Sequence, residues 1–204
     1  MSSKITIIGA GSVGSTIAYT LANQNIASEL VLIDINKNKA DGEVMDIIQG
    51  TYFRNPISIV AGDYEDAKDS DIVIITSGIG RKPGQSRLDL AQTNVNIMKD
   101  LAPKIAAVAP NALYVIVSNP VDVMTYVFMK VSGIPENQVI GSGTILDTAR
   151  LRFLVGEKLN IDPTNIHGYV IGEHGDSEFI PWSDVTVAMQ NISDFLSEDE
   201  MSSI

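Results

Sequence analysis

The feature that most constrains the fold of this chain is a glycine pattern near its start, Gly9-Ala-Gly11-Ser-Val-Gly14. A short apolar run rich in β-branched residues, 4–8, comes directly before it, and a stretch with helical character, 15–25, follows it. In such a strand–turn–helix unit the first glycine makes a tight turn, the second lets the backbone approach a pyrophosphate, and the third permits close helix packing. The amino terminus of the helix then receives the phosphate charge, so the pattern predicts a dinucleotide site.

A second apolar strand, 30–34, ends on Asp34, which lies 20 residues beyond Gly14. A carboxylate at this position accepts hydrogen bonds from the ribose hydroxyls of NAD and repels the 2′-phosphate of NADP. The alternative is a glycine-rich turn without a ligand, with a carboxylate that simply ends a strand. The order of strand, turn, helix and carboxylate favours an NAD-binding unit.

The rest of the chain alternates between strand-like and helix-like stretches. Strands are predicted at 57–61, 71–76, 113–117, 139–140, 166–171 and 185–188. Helices are predicted at 35–48, 87–108, 120–130 and 144–159, with a kink or break at Pro103 and a further helix start at 197–200. This alternation is typical of an α/β fold with a doubly wound parallel sheet, whose six-strand set is complete near Gly141.

The composition narrows the possible functions. The chain has 204 residues, 45% of them hydrophobic, which is enough for a sizeable core, and a net charge of −11. No basic stripe is available to neutralise a phosphate backbone, so nucleic-acid binding is not expected. The absence of cysteine excludes disulfides and thiolate metal sites, and no metal centre is predicted. The first apolar run is too short for a signal peptide and no stretch reaches membrane-spanning length, so we expect a cytoplasmic protein without a membrane partner.

The loop at 171–178, which reads IGEHGDSE, contains His174, one of two histidines in the chain. Glycines on both sides let the backbone turn tightly, and the carboxylates Glu173 and Asp176 flank the histidine. A histidine in such a loop is a candidate proton donor, because imidazole titrates near neutral pH. An ordinary surface-loop histidine explains the octapeptide equally well, so this segment alone leaves both interpretations open.

Six segments together resemble the NAD-dependent L-lactate/malate dehydrogenase family over the whole chain. They occur in the family order and read GAGSVGS, LVLIDIN, GRKPGQSRLDL, VSNPVDVMTY, GSGTILDTARLR and IGEHGDSEFIPWS. The resemblance implies a glycolytic oxidoreductase that uses NAD and forms a homo-oligomer, either a dimer or a tetramer. It also implies a Rossmann domain at 1–141 and an incomplete substrate domain at 142–204, because family chains continue for about another hundred residues. The implied cofactor contacts are Gly9, Gly11, Val13, Gly14, Asp34, Lys39, Tyr64, Gly78, Asn94, Ser118 and Asn119.

The resemblance also implies a role for each candidate catalytic residue. His174 matches the family's acid/base, and Asp147 matches the carboxylate that orients its ring and stabilises its charged form. Arg150, one helical turn beyond Asp147, matches the arginine that grips the substrate carboxylate. Arg87 matches the arginine that polarises the substrate carbonyl, and Asn119 an asparagine that hydrogen-bonds near the same oxygen. Taken singly, each has a purely structural explanation, such as a helix-surface pair, a solvated loop cation or an asparagine–proline turn.

Arg81 lies in a predicted loop, 78–86, where the family selects its substrate. Lactate dehydrogenases have a glutamine at this position, and malate dehydrogenases have an arginine. A guanidinium that closes over the substrate pairs with a second carboxylate, but facing the methyl group of pyruvate it is buried unpaired, at a cost of several kcal/mol. Arg81 therefore favours malate and oxaloacetate, unless it points to water beside Lys82. Leu88 and several other segments resemble the lactate branch of bacteria, so lactate is the favoured substrate and malate the alternative.

Arg152 and His167 match the pair that binds the activator fructose 1,6-bisphosphate across a subunit interface in many bacterial lactate dehydrogenases. A helix-surface arginine and a strand-edge histidine explain them equally well. Two other functions remain as alternatives: an NAD-binding fragment without turnover, because the chain is short for the family, and an NAD-dependent glycosidase. The glycosidase is disfavoured because such enzymes use cysteine and histidine metal ligands, and this chain has no cysteine.

Overall fold

The computed structural model describes residues 3–52, 56–80, 84 and 87–204, and for residues 87 and 88 the backbone only. The chain divides into two compact units, unit 1 from Met1 to Gly141 and unit 2 from Ser142 to Ile204. Most of the predicted loop at 78–86, including Arg81, lies outside the described residues. Each unit has its own hydrophobic core, and each is described separately below.

The described part of unit 1 contains six strands and four α-helices. The strands are β1 Lys4–Ile8, β2 Glu29–Ile33, β3 Ser58–Ala61, β4 Ile72–Ile75, β5 Leu113–Ile116 and β6 Val139–Gly141. The helices are α1 Ser12–Gln24, α2 Lys37–Thr51, α3 Arg87–Val108 and α4 Val121–Ser132, with 3-10 turns at Tyr64–Ala67 and Glu136–Gln138. All strand pairs are parallel, in the order β3-β2-β1-β4-β5-β6. This confirms the predicted doubly wound sheet, in which the strand order reverses between β1 and β4.

The sheet of unit 1 is buried on both faces, which explains why its strands are nearly continuous runs of isoleucine, leucine and valine. On one face Ile5 and Ile7 of β1 belong to a cluster with the buried positions of α1 and α2. On the other face Val73 and Ile75 of β4 belong to a cluster with α3 and α4. Each helix therefore covers strands that would otherwise expose large apolar side chains to water.

Pro103 lies inside α3, which runs from Arg87 to Val108 without a break. Of the two outcomes expected from the sequence, a helix end at this proline is therefore wrong. Proline removes one intrahelical hydrogen bond, but Leu101, Ala102 and Ile105 around it are almost fully buried in the core of unit 1. Tertiary packing thus compensates for the lost backbone bond and holds the helix together.

Unit 2 is a small α+β unit. Its elements are α5 Ile145–Leu159, β7 Ile166–His167, β8 Thr186–Val187, β9 Gln190–Asn191 and α6 Glu198–Ser202, with 3-10 turns at Pro163–Asn165, Trp182–Asp184 and Ile192–Asp194. The three strands form an antiparallel sheet in the order β7-β8-β9. Its core consists of buried side chains from α5, the sheet and α6, among them Leu151, Val155, Ile166, Val185 and Ile192.

Two sequence predictions for unit 2 differ from the structure. The strand predicted at 166–171 ends at His167, because β8 begins at Thr186, directly opposite His167, and leaves residues 168–171 without a partner strand. Only a single bridge, between Ile171 and Phe179, continues the pairing in this described region. The strand β9 was not predicted, because the turn before it uses Ala188 and Met189 at positive φ and carries no glycine or asparagine signal.

Tyr114 of β5 is fully buried in the core of unit 1. Its hydroxyl donates a hydrogen bond to the carbonyl oxygen of Ala109 (2.9 Å) just after α3, and its ring centre lies 4.7 Å from that of Phe128. Burial raises the pKa of Tyr114 to about 12, because the phenolate would lose its hydration. The folded state therefore favours the neutral phenol of Tyr114 over the phenolate.

We expect Tyr114 to make the stability of the protein sensitive to alkaline pH. The unfolded phenol ionises near pH 10, so the contribution of Tyr114 is fully present below pH 10 and is lost as the pH rises through the folded value of about 12. Tyr114→Phe should cost about 1 kcal/mol at pH 8 through the lost hydrogen bond. Urea unfolding at pH 8 and at pH 11 measures both variants. A stability difference that stays constant between these two pH values would contradict the expectation.

Candidate active site

The glycine turn between β1 and α1 combines two tightly packed glycines with one that faces open space. A Cβ on Gly14 would lie 1.8 Å from the carbonyl oxygen of Gly9, and Gly9 itself has a φ of +110° and would clash with the Thr76 hydroxyl. At Gly11 a Cβ would meet nothing within 4 Å. Gly11 is also the N-cap of α1 and offers no side-chain capping bond to the first-turn amides. This cradle fits a pyrophosphate, because backbone amides and a helix amino terminus face open space.

Asp34 follows β2 beside this turn and is half-buried. Its carboxylate accepts hydrogen bonds from the backbone N–H of Ala10 (2.7 Å) and of Asn36 (2.8 Å). These two bonds fix the carboxylate next to the glycine cradle, in the position that a ribose-binding carboxylate requires. Val13 in the first turn of α1 and Lys39 in the first turn of α2 are both exposed.

The structure adds a residue that the sequence did not single out, Thr76 at the end of β4. Its hydroxyl lies within hydrogen-bond distance of the carbonyl oxygens of Ile8 (3.2 Å) and Gly9 (3.0 Å), and so it fastens the glycine turn to the neighbouring strand. Only the pairing of β4 with β1 reveals this contact, since the residues are far apart in the sequence. The sequence gives only a weak signal for this contact, which is a threonine that ends an apolar stretch just before a loop.

The remaining predicted cofactor residues of unit 1 lie after β3, β4 and β5 or on α3. Ser118 and Asn94 are buried, and Ser118 donates a hydrogen bond to the carbonyl of Ser77 (2.6 Å). Asn119 follows Ser118, and its peptide bond to Pro120 is cis. Tyr64 packs against the core cluster of α3 and α4, and burial raises the pKa of its phenol.

In unit 2 the structure brings together the predicted pair Asp147 and His174. Asp147 lies in the first turn of α5 and is 7% exposed, and its Oδ2 is 2.6 Å from His174 Nδ1. Its other oxygen, Oδ1, accepts a hydrogen bond from Arg150 (3.0 Å). Glu173, the sequence neighbour of the histidine, accepts a bond from the Ser177 hydroxyl instead. The carboxylate on the histidine ring is therefore Asp147.

A second carboxylate that sequence reasoning missed also faces the histidine. Glu178 Oε2 lies 3.7 Å from His174 Nδ1, and this oxygen atom is buried without a hydrogen-bond partner in the described residues. Glu178, Asp147 and Arg150 line a cavity of about 380 Å³ in unit 2, together with apolar side chains that include Phe179 and Trp182. A cavity that combines a few charged groups with an apolar wall is typical of small-molecule sites.

Four other predicted residues have mixed outcomes. Arg81 lies outside the described residues, and Arg87 begins α3 but its side chain is not among those described. Arg152 of α5 donates to the Gly168 carbonyl (3.3 Å and 3.4 Å), and its guanidinium lies 5.5 Å from the ring centre of Tyr169. His167 is exposed at the end of β7, directly before Gly168.

The strand order and the glycine cradle define unit 1 as a Rossmann-type dinucleotide-binding domain. Residues 3–141 match the family model of the lactate/malate dehydrogenase NAD binding domain. Residues 144–203 match the model of the lactate/malate dehydrogenase alpha/beta C-terminal domain. The chain therefore belongs to the lactate/malate dehydrogenase family, which confirms the resemblance, and NAD is the cofactor of its first domain.

Curated relatives carry the name L-lactate dehydrogenase. The chain is 50% identical over 192 residues to that of Clostridium perfringens (strain SM101 / Type A), covering 94% of this chain and 61% of the relative. It is 55% identical over 185 residues to that of Thermoanaerobacter sp. (strain X514), covering 91% and 60%. The chain thus spans about three fifths of the length of these relatives.

Solved structures include both branches of the family. The lactate dehydrogenase MGS-M5 from a Medee basin deep-sea metagenome library is 43% identical, with a TM-score of 0.94, and the match covers 99% of this chain and 67% of that one. The malate dehydrogenase of Picrophilus torridus is 34% identical, with a TM-score of 0.93, covering 100% and 65%. The fold alone therefore does not separate lactate from malate.

The glycine cradle predicts opposite effects for two alanine substitutions. Gly14→Ala should lower the free energy of unfolding by about 3 kcal/mol or more, because its Cβ would meet a backbone oxygen that cannot move independently. Gly11→Ala should cost about 1 kcal/mol or less, since its φ of −72° suits alanine and the space is open, although alanine is a poorer N-cap than glycine. We expect Gly11→Ala to weaken NADH binding at least about tenfold, which is 1.4 kcal/mol, because the methyl group occupies the phosphate's place.

Melting curves and NADH titration by fluorescence measure these effects. Gly42→Ala in α2 is the matched control, because a Cβ there also meets nothing within 4 Å. It should bind NADH as the wild type does. Unchanged NADH affinity in Gly11→Ala would show that the cradle does not hold the phosphates.

Proposed function

We propose that this protein is an NAD-dependent L-2-hydroxy acid dehydrogenase that interconverts pyruvate and L-lactate. The observation that carries the proposal is Asp147, whose two oxygens bind the ring of His174 and the guanidinium of Arg150. The buried carboxylate of Asp147 thereby holds the imidazole of His174, the proposed proton donor, near the guanidinium of Arg150, the proposed binding group for the substrate carboxylate. The names of the relatives at 50% and 55% identity support lactate as the product.

When bound, the cofactor would donate hydride to the substrate carbon as NADH or accept hydride from it as NAD+. The residues that would hold the cofactor are Gly9, Gly11, Val13, Gly14, Asp34, Lys39, Gly78, Ser118 and Asn119. Gly11 and the start of α1 fit the pyrophosphate, and Asp34 fits the ribose hydroxyls. Tyr64 and Asn94 complete the predicted set, although both side chains already serve the fold, Tyr64 in a core cluster and Asn94 in hydrogen bonds to backbone atoms.

The acid/base step follows from the ring orientation of His174. Nδ1 faces Asp147, and we assign the exchange of a proton with substrate to the other ring nitrogen, Nε2. In keto acid reduction Nε2–H gives its proton to the carbonyl oxygen as the carbonyl carbon accepts hydride, and a hydroxy acid results. Arg150 would bind the substrate carboxylate through paired N–H donors. Arg87 and Asn119 would polarise the carbonyl, as the family resemblance implies.

Two alternatives each have an observation in their favour. Arg81 favours oxaloacetate and malate, because an arginine at this position pairs with a second substrate carboxylate. An NAD-binding protein without turnover is the other alternative, because the cradle that fits the cofactor lies in unit 1, whereas Asp147 and His174 lie in unit 2. The rates with the two keto acids and the binding of NADH distinguish these three functions.

Regulation and assembly are part of the proposal. Arg152 and His167 would bind fructose 1,6-bisphosphate, because the guanidinium of Arg152 bonds to the Gly168 carbonyl and the exposed imidazole of His167 directly precedes Gly168 in unit 2. We also propose a homo-oligomer, a dimer or tetramer, that acts in the cytoplasm. Within the described ranges, no helix has both the length and the apolar content of a membrane span.

The proton-transfer role predicts a large loss of activity in two variants. His174→Ala should lower kcat/KM for pyruvate by about a hundredfold or more, because general acid catalysis contributes at least that much. Asp147→Asn should also lower it strongly, since the amide neither orients the ring as a carboxylate does nor balances its charge. Oxidation of NADH by pyruvate is measured in this chain and in a version extended with the part of the Clostridium perfringens relative that the match does not cover.

Glu173→Gln is the control for this pair, because Glu173 bonds to Ser177 rather than to the histidine ring. It should retain nearly full activity. A loss of less than about tenfold in His174→Ala of an active version would remove the basis of the proposed acid/base role. NADH binding without turnover in this chain, together with turnover in the extended version, would support the NAD-binding alternative for this chain.

Substrate choice depends on Arg81 if its guanidinium reads a second carboxylate. Arg81→Gln should then raise the ratio of the pyruvate rate to the oxaloacetate rate at least about tenfold, because the substitution removes a cation that the methyl group cannot pair. Lys82→Gln, which removes the neighbouring charge, should leave the ratio unchanged. The ratio is measured with NADH and equal concentrations of each keto acid. No shift in Arg81→Gln would mean that Arg81 does not contact the substrate.

A further inference from the structure

The side chain of Asn94 on α3 is 4% exposed, and among the described residues its hydrogen bonds all go to backbone atoms of two loops. Its Oδ1 accepts a bond from the N–H of Ile79 (2.9 Å). Its Nδ2 donates to the carbonyl oxygens of Asn119 (2.8 Å) and Ile79 (3.3 Å). Both amide hydrogens are therefore in use, so this side chain has no donor left for a cofactor.

The two loops that Asn94 joins follow neighbouring strands of the sheet. Ile79 lies in the loop after β4, and Asn119 lies in the loop after β5. Gly78 packs flat against the Asn94 amide, since a Cβ there would lie 3.3 Å from Oδ1 and 3.4 Å from Cγ and Nδ2. A Cβ at position 78 would therefore make a tight contact with the amide of Asn94, and one of the two would have to shift slightly.

A second hydrogen bond already links these loops closer to the strands. The hydroxyl of Ser118 donates to the carbonyl of Ser77 (2.6 Å), directly beyond the ends of β4 and β5. The hydrogen bonds of Asn94 reach Ile79 and Asn119, which lie farther from the strand ends than Ser77 and Ser118 do. Among the described residues, no pairing between β4 and β5 extends to this level. The spacing of the loops at this outer level therefore depends on Asn94.

We propose that Asn94 is a positioning residue that holds the loops after β4 and β5 at the spacing required by the nicotinamide half of NAD. In a doubly wound fold the first half of the sheet holds the adenosine part of a dinucleotide, and β4 to β6 hold the second nucleotide. The inference rests on the proposed function. It reassigns Asn94 from a predicted cofactor contact to a residue that acts through Ile79 and Asn119.

Two variants of Asn94 and one matched control test the inference. Asn94→Ala removes all three bonds, and Asn94→Asp places a carboxylate oxygen against two carbonyl oxygens that it repels. Asn96→Asp is the control, because Asn96 is exposed on the same helix and bonds only to Gln92 among the described contacts. Melting curves establish whether each variant is folded. If Asn94→Ala does not fold, Asn94→Asp is used alone for the test.

Two readouts separate positioning from direct contact. Amide hydrogen exchange at Ile79 should accelerate at least about tenfold in the Asn94 variants, because its N–H loses a fixed acceptor. NADH should bind at least about tenfold more weakly, while AMP, which occupies only the adenosine half, should bind with unchanged affinity. Asn96→Asp should match the wild type in all three measurements.

Weaker NADH binding with unchanged exchange at Ile79 would overturn the inference, because it would make Asn94 a direct ligand. Equal losses of NADH and AMP affinity would overturn it too, because the effect would then not be confined to the second nucleotide. If the wild-type chain bound no NADH, the proposed function would fail. The exchange rates at Ile79 would in that case still show whether Asn94 holds the two loops.

Discussion

The close approach of Gly14 to the carbonyl oxygen of Gly9 is the contact on which the rest of unit 1 depends. Because no side chain fits between them, α1 begins directly at the carboxyl edge of the sheet. That placement puts Ala10 within 2.7 Å of the Asp34 carboxylate and leaves Gly11 facing open space. The start of α1 and the Asp34 carboxylate therefore lie on the same glycine turn, where the proposed function places the pyrophosphate and the ribose of NAD.

The sequence predicted unit 1 better than unit 2, for a physical reason. Strands buried on both faces must be long apolar runs, and these are visible without any tertiary information. The strands of unit 2 are two residues long, and one hairpin turns through Ala188 and Met189 at positive φ, which no residue preference signals. Pro103 shows the converse, because a local signal for a helix end is overridden by burial of the residues around it.

The candidate site likewise contains some contacts that the sequence predicts and others that it does not. The helical spacing of Asp147 and Arg150 predicts that they share a face, and they do make a hydrogen bond. The contact of Asp147 with His174 spans 27 residues, and only the family resemblance suggested it. The parts played by Thr76, Asn94 and Glu178 could not be predicted, because each depends on loops or strands that are neighbours only in the folded sheet or in the folded unit.

The two partners of Asp147 in unit 2, His174 and Arg150, differ in how firmly they are held. The pairing of Asp147 with His174 is complete, because the carboxylate is buried and the bond is short, so the ring orientation needs no further group. Arg150 differs, since its side chain is 61% exposed and water competes with any carboxylate that it binds. In the proposed function, the geometry for proton transfer would therefore be preorganised, whereas the strength of substrate binding would depend on what excludes water from Arg150.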